Sequence, residues 1–146
     1  MKKITFLLVF ISMFGYAQDS YKHSINGEYV AHSRYSLSYL EKHEQAEWVC
    51  YSLNYNLLRG NTERSNNFRV DSSISTRSAS LNDYKGTGYD RGHLVPAGDM
   101  KDSYRSMSES FFMSNMSPQD PSFNRGGWKR LESLVRSWAE KNDLYI

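Results

Sequence analysis

The sequence predicts an α+β domain, on three observations. Residues 35–39 and 48–55 are rich in aromatic side chains, as strands packed against a core are. Leu131, Leu134, Val135 and Trp138 recur at i, i+3, i+4 and i+7, which places an amphipathic helix over about residues 123–140 with its apolar stripe toward the core. Two more strand candidates, residues 89–95 and 111–116, precede that helix, so a strand–strand–helix unit comes last.

The remaining elements follow from local signals. Residues 42–47 are polar and fit a turn or a short helix between the first two strands. Residues 61–67 form a polar loop, and residues 72–81, rich in Ser and Thr, read as irregular. Gly86 and Gly88 make a turn across residues 84–88. Pro96 ends the strand of residues 89–95 or pushes it to an edge. Residues 103–110 fit a short helix, and Ser117-Pro118 closes the strand of residues 111–116. Leu144-Tyr145-Ile146 reads as the start of another strand, where the sequence stops.

A length of 146 residues fits one domain, and 39% hydrophobic with 14% aromatic content excludes a disordered chain. Met1-Lys2-Lys3, the apolar run of residues 4–14 and the small residues Gly15 and Ala17 have the order of a secretory signal peptide over residues 1–17. A buried strand or a membrane anchor are the competing readings. The run is too short to span a bilayer. Residues 18–146 are then the domain of a secreted or periplasmic protein with no membrane attachment after cleavage. Losing Lys2 and Lys3 takes the formal charge from +2 to 0, so any phosphate-binding field must be local. Cys50 is the single cysteine, which excludes an internal disulfide and a zinc site built on cysteine pairs. Within Trp48-Val49-Cys50-Tyr51 it reads as a small buried hydrophobe.

Two segments carry residue types suited to phosphodiester chemistry. In Asp90-Arg91-Gly92-His93, His takes a proton from water near neutral pH. Arg neutralises a phosphate with a planar fork of donors, and Gly lets a backbone approach a ligand closely. In Asn124-Arg125-Gly126-Gly127-Trp128, Asn124 offers a hard carbonyl oxygen suited to Mg²⁺. Glu132 follows eight residues later. On an α-helix that is a rise of about 12 Å and a rotation of about 80°, so the two do not easily ligate one ion directly, although Glu132 could reach a water on that ion. A helix cap at Asn124 and a solvated Glu132 fit the same spacing.

The stretch Tyr89-Asp90-Arg91-Gly92-His93-Leu94-Val95-Pro96-Ala97-Gly98-Asp99-Met100 resembles the signature of the DNA/RNA non-specific endonucleases, the family of the Serratia nuclease and mitochondrial endonuclease G. Ser114-Asn115-Met116-Ser117-Pro118-Gln119, Phe123-Asn124-Arg125-Gly126, Trp128 and Leu131-Glu132 resemble its downstream block in order and spacing. Tyr35-Ser36-Leu37-Ser38-Tyr39, Trp48-Val49 and Phe68-Arg69-Val70-Asp71 also fit, so the resemblance runs over about residues 30–146.

The resemblance implies a ββα-metal (His-Me finger) nuclease fold with a mainly antiparallel sheet. It implies His93 as general base, Asn124 as the sole protein ligand of one Mg²⁺ (Mn²⁺ as a substitute), and Glu132 holding a metal-bound water. It implies Arg91 as the motif arginine, Asn115 as support for the site, and an upstream arginine on the scissile phosphate, for which Arg64 is the best match. The implied activity is Mg²⁺-dependent hydrolysis of DNA and RNA to 5′-phosphate products. The role left open is nutrient scavenging, degradation of extracellular DNA, or a toxin with an immunity or inhibitor partner. The rival class is a non-catalytic nucleic-acid-binding or interaction module, which loss of the His or the Asn would mark; both are present. Family domains continue past this helix, so the expectation is a domain incomplete at its C-terminus that folds poorly alone.

Overall fold

The computed structural model describes residues 26–146, and the expected leader at residues 1–17 lies outside the described residues. Three strands open the fold: β1 (Glu28–Ala31), β2 (Tyr35–Leu40) and β3 (Gln45–Leu53). They pair antiparallel in sequence order, with Val30 opposite Leu37 and Leu37 opposite Val49. The polar stretch after β2 makes one 3-10 turn, Glu41–His43, and turns back through Glu44 in the left-handed region at φ +50. β3 therefore begins at Gln45 and ends at Leu53, earlier at both ends than the aromatic run of residues 48–55 indicated. The register shifts between Ser38 and Tyr39, a bulge that fits one extra residue into β3.

The sheet buries Tyr35, Leu37, Tyr39, Tyr51 and Leu53 in the main core, together with Val30, Ile74, Val95, Met100 and Ala139. Cys50 is half-buried on β3 and burial pushes its thiol pKa up, consistent with an inert packing role. Short helices α1 (Tyr55–Leu58) and α2 (Leu81–Tyr84) lie in the connections. The second, within the expected irregular and turn region, is set by a capping box in which Ser80 and Asp83 satisfy each other's backbone amides.

The second half forms the strand–strand–helix unit. β4 (Asp90–His93) pairs antiparallel with β5 (Met116–Gln119), His93 opposite Met116 and Gly92 opposite Ser117. Between them lies α3 (Tyr104–Glu109), whose Ser103 side chain caps the Ser106 amide. The strand expected at residues 111–116 is instead a tight turn, a 3-10 segment at Met113–Asn115 and then β5. Its apolar residues Phe111, Met113 and Met116 are all fully buried, and its pairing is confined to a bridge of Phe112 with Arg69 and to Met116, the first residue of β5. Pro118 sits inside β5, which is tolerated because that strand has one neighbour only.

The last helix is not one continuous α-helix. Phe123–Trp128 is a π-helical segment containing Gly126 and Gly127, and α4 (Lys129–Ala139) continues it. Its expected core stripe is largely outside: Leu131, Leu134 and Trp138 are 45–49% exposed. Only Val135 of the four packs on the core. The helix docks instead through Trp128, Glu132, Val135, Arg136 and Ala139, a face at i, i+4, i+7, i+8 and i+11. Polar anchors fix that rotation: Trp128 Nε1 donates to the His93 carbonyl at 2.9 Å, and Arg136 meets the buried Asp99 at 2.8 Å. β6 (Leu144–Tyr145) then pairs antiparallel with β3, so among the described residues the sheet is ordered β1-β2-β3-β6. Among the described residues no helix is long and apolar enough to cross a membrane.

Candidate active site

β4 delivers His93 to the inner end of a cleft. The imidazole is wedged edge-on against Phe111, ring centres 4.8 Å apart, and Phe68, 5.9 Å apart. It is 8% exposed, and Nε2 is buried without a hydrogen-bond partner. Burial, with the Arg64 charge beside it, pushes its pKa down to about 3. The ring is therefore neutral at physiological pH, the form that accepts a proton. Trp48 Nε1 and Gln119 Oε1 are also buried without a partner, and of the three residues only His93 lines the cleft.

The segment after His93 is fixed by Asn115. Its Nδ2 donates to the carbonyls of Ser110 and Val95 at 2.9 and 3.0 Å, and its Oδ1 accepts from the Val95 amide at 2.8 Å. The Leu94 amide donates to the Asn115 carbonyl. Asn115 is fully buried and does not line the cleft, so its geometry is that of a positioning residue. Gly92 has a role other than the close ligand approach expected of it. A Cβ there would lie 2.1 Å from the Gln119 side chain, so the glycine makes room for the neighbouring strand.

The cleft, about 560 Å³, gathers Arg64, Arg91, His93, Asn124 and Glu132, with Arg125, Lys129 and Arg136 beside them. Five cationic side chains and one carboxylate line it; Arg125 and Arg136 are paired with Asp90 and Asp99, so Arg64, Arg91 and Lys129 give the local positive field that a net charge near zero had left open. Arg91 stacks over Phe68 at 4.3 Å, and Arg64, drawn in from the long polar loop, stacks over Phe111 at 4.7 Å. The two aromatic rings that enclose His93 thus also seat the two arginines.

Asn124 lies in the π-helical segment and is not a helix cap. Its Nδ2 donates to Asp90 Oδ2 at 2.9 Å, which leaves the amide oxygen as the free acceptor end. Asp90 also grips Arg125 with two bonds of 2.7 and 2.8 Å, and these contacts hold its carboxyl below the usual range. Glu132 faces the same cleft. Burial raises its pKa, while Arg136, 3.7 Å away, opposes that rise. Behind it, Asp99 accepts from Arg136 at 2.8 Å and from the Tyr51 hydroxyl at 2.9 Å, tying the helix to the sheet. Asn124, in the π-helical segment, and Glu132, one turn into α4, both line this cleft.

The described residues hold no group of three or more His, Cys, Asp and Glu that could bind a metal by itself. An amide oxygen at Asn124 and a carboxylate at Glu132 are hard oxygen donors, and they fit a cation that keeps most of its waters. Sequence reasoning brought forward Arg64, Arg91, His93, Asn124 and Glu132, and all five line the cleft. It gave no role to Asp90, Asp99, Arg125, Lys129, Trp128 or Arg136. Arg136 was findable as the i+4 partner of Glu132, whereas the Asp90–Arg125 and Asp99–Arg136 pairs span 35 and 37 residues and leave no local signal.

The sequence profile of the DNA/RNA non-specific endonuclease family matches residues 15–146. A nuclease of Nostoc sp. is 38% identical over 117 residues, covering 78% of this chain and 42% of that protein. Human mitochondrial endonuclease G is 38% identical over 115 residues, covering 77% of this chain and 39% of that protein. Among solved structures, a crystal structure of the EndoG/EndoGI complex superposes with a TM-score of 0.76 at 35% identity, over 82% of this chain and 51% of that one. The chain spans half or less of the length of these curated relatives.

Proposed function

The chain belongs to the DNA/RNA non-specific endonuclease family, and from that premise we propose that it is an exported, Mg²⁺-dependent nuclease that hydrolyses DNA and RNA to 5′-phosphate products. The observation that carries the reading is the convergence of His93, Arg91, Arg64, Asn124 and Glu132 on one cleft at the β4–β5–helix junction. Arg64 and Arg91 receive the scissile phosphate, and His93 takes the proton of the attacking water. Burial is the main cause of the depressed imidazole, and a phosphate seated on Arg64 offsets the smaller contribution of that charge. Asn124 and Glu132 are the residues that would hold the cation, the carboxylate by way of its water shell. When bound, Mg²⁺ stabilises the charge that develops on the leaving 3′-oxygen. With no base-reading element among the site residues, recognition rests on phosphate and sugar and weakens with salt.

Plasmid cleavage by purified wild type and His93→Ala with Mg²⁺ tests this reading. Loss of a general base lowers the rate by about 10²–10⁴-fold; equal rates remove His93 from the mechanism. Labelling of product ends reads the 5′-phosphate, and the N-terminal sequence of the mature protein reads the leader. An inhibitor or immunity protein as partner draws support from the EndoG/EndoGI complex among the structural relatives. The exposed Leu131, Leu134 and Trp138 favour a second reading, an interaction module without catalysis. Nucleic-acid binding with no Mg²⁺-dependent cleavage identifies it.

A further inference from the structure

The cleft does not end at Arg91. That arginine also lines an adjoining depression of about 360 Å³ with Leu81, Tyr84, Lys85, Tyr89 and Asp90. Tyr89 stands directly before β4 and its ring is 55% exposed. Lys85 is exposed at the start of the same turn, directly after α2. The turn is held in shape. Gly86 and Gly88 take φ +77 and +82, Thr87 Oγ1 donates to the Tyr84 carbonyl at 2.8 Å, and the Tyr89 amide donates to Thr87 Oγ1 at 3.2 Å.

The interior tyrosines of this protein are used differently. Tyr35, Tyr39 and Tyr51 are buried and their hydroxyls donate to the Glu109 carbonyl, Glu44 and Asp99. One exposed aromatic ring on a surface is ordinary. Here the ring lies on a fixed turn between two cations, in a depression that shares Arg91 with the catalytic cleft. Aromatic faces flanked by basic residues along a groove are the general means of holding an unpaired nucleotide.

We propose that this depression is a subsite for the nucleotide next to the scissile phosphate, with its base stacked on Tyr89 and its outer phosphate drawn to Lys85. The inference rests on the nuclease reading above and adds a preference to it. A base can stack on Tyr89 only when it is unpaired, so the subsite favours single strands, or frayed ends, over intact duplex.

Fluorescence anisotropy in EDTA, with a labelled single-stranded oligonucleotide and a hairpin duplex, tests the subsite without cleavage. Tyr89→Ala weakens single-strand binding about tenfold, in the range for loss of one base–aromatic stack, and weakens duplex binding less. Tyr89→Phe keeps the ring and restores the single-strand affinity. Lys85→Ala weakens both ligands and lowers the salt dependence by about one ion. Equal affinities for wild type and Tyr89→Ala, or equal losses on both ligands, overturn the subsite. Mg²⁺-dependent cleavage by wild type and His93→Ala, run in parallel, separates the two readings. Wild-type cleavage with an indifferent Tyr89 removes the subsite alone, and absence of both binding and cleavage removes both.

Discussion

The last helix has two faces of nearly opposite construction. One carries Trp128, bonded to the His93 carbonyl, Glu132 and Arg136, which line the cleft, and Val135 and Ala139, which pack in the core. The other carries Leu131, Leu134 and Trp138, about half exposed and outside the core clusters. Hydropathy alone would bury the second face and expose much of the first. Polar anchors decide otherwise. The Asp99–Arg136 pair and the Trp128–His93 hydrogen bond hold the mixed face inward, which keeps Glu132 in the cleft. Periodicity finds an amphipathic helix, but it does not say which face docks.

Buried polar groups should therefore make the docked side sensitive to pH and to substitution, and the apolar side indifferent. The largest effect is acid destabilisation. His93 sits at about 3 in the folded protein against an ordinary 6.5. Between those values the unfolded chain binds a proton that the folded chain refuses, so stability is full above pH 6.5 and falls as pH drops toward 3. The loss amounts to several kcal/mol at most, and His93→Gln flattens it in denaturation midpoints measured across that window. Next is Arg136→Met, which leaves the fully buried Asp99 without its cation and costs about 3 kcal/mol in urea unfolding. Gly92→Ala drives a methyl into Gln119 and costs about 1–3 kcal/mol. Combining it with Gln119→Ala recovers part of that loss, which a backbone effect at Gly92 would not allow. Smallest is Leu134→Ser on the exposed face, within about 0.5 kcal/mol of wild type.

The same contrast explains what was legible in the sequence. His93, Arg91 and Asn124 stood out because a short motif carries its chemistry in adjacent residues. The strand–strand–helix order was legible from local patterns as well. The helix rotation was not, because Asp99 and Arg136 are 37 residues apart and neither advertises the other. The π-helical segment was hidden because Gly126-Gly127 reads equally as a weak helix or a break. The run at residues 111–116 misled for a different reason. A buried segment whose backbone bonds run to Arg69, to the end of α3 and within its own turn has the same apolar composition as a strand.

If one face of this helix belongs to a phosphodiester site and the other does not, only the first responds to substitution in a cleavage assay. Single-turnover cleavage of a labelled oligonucleotide across a Mg²⁺ titration tests it most directly, with wild type, Asn124→Ala, Glu132→Gln and Leu134→Ser compared at equal folded concentration. The expected outcome is a loss of about 10–100-fold for Glu132→Gln, a larger loss for Asn124→Ala, a higher Mg²⁺ requirement in both, and wild-type behaviour for Leu134→Ser. Wild-type cleavage by Asn124→Ala, or a loss in Leu134→Ser that matches Glu132→Gln, would contradict it.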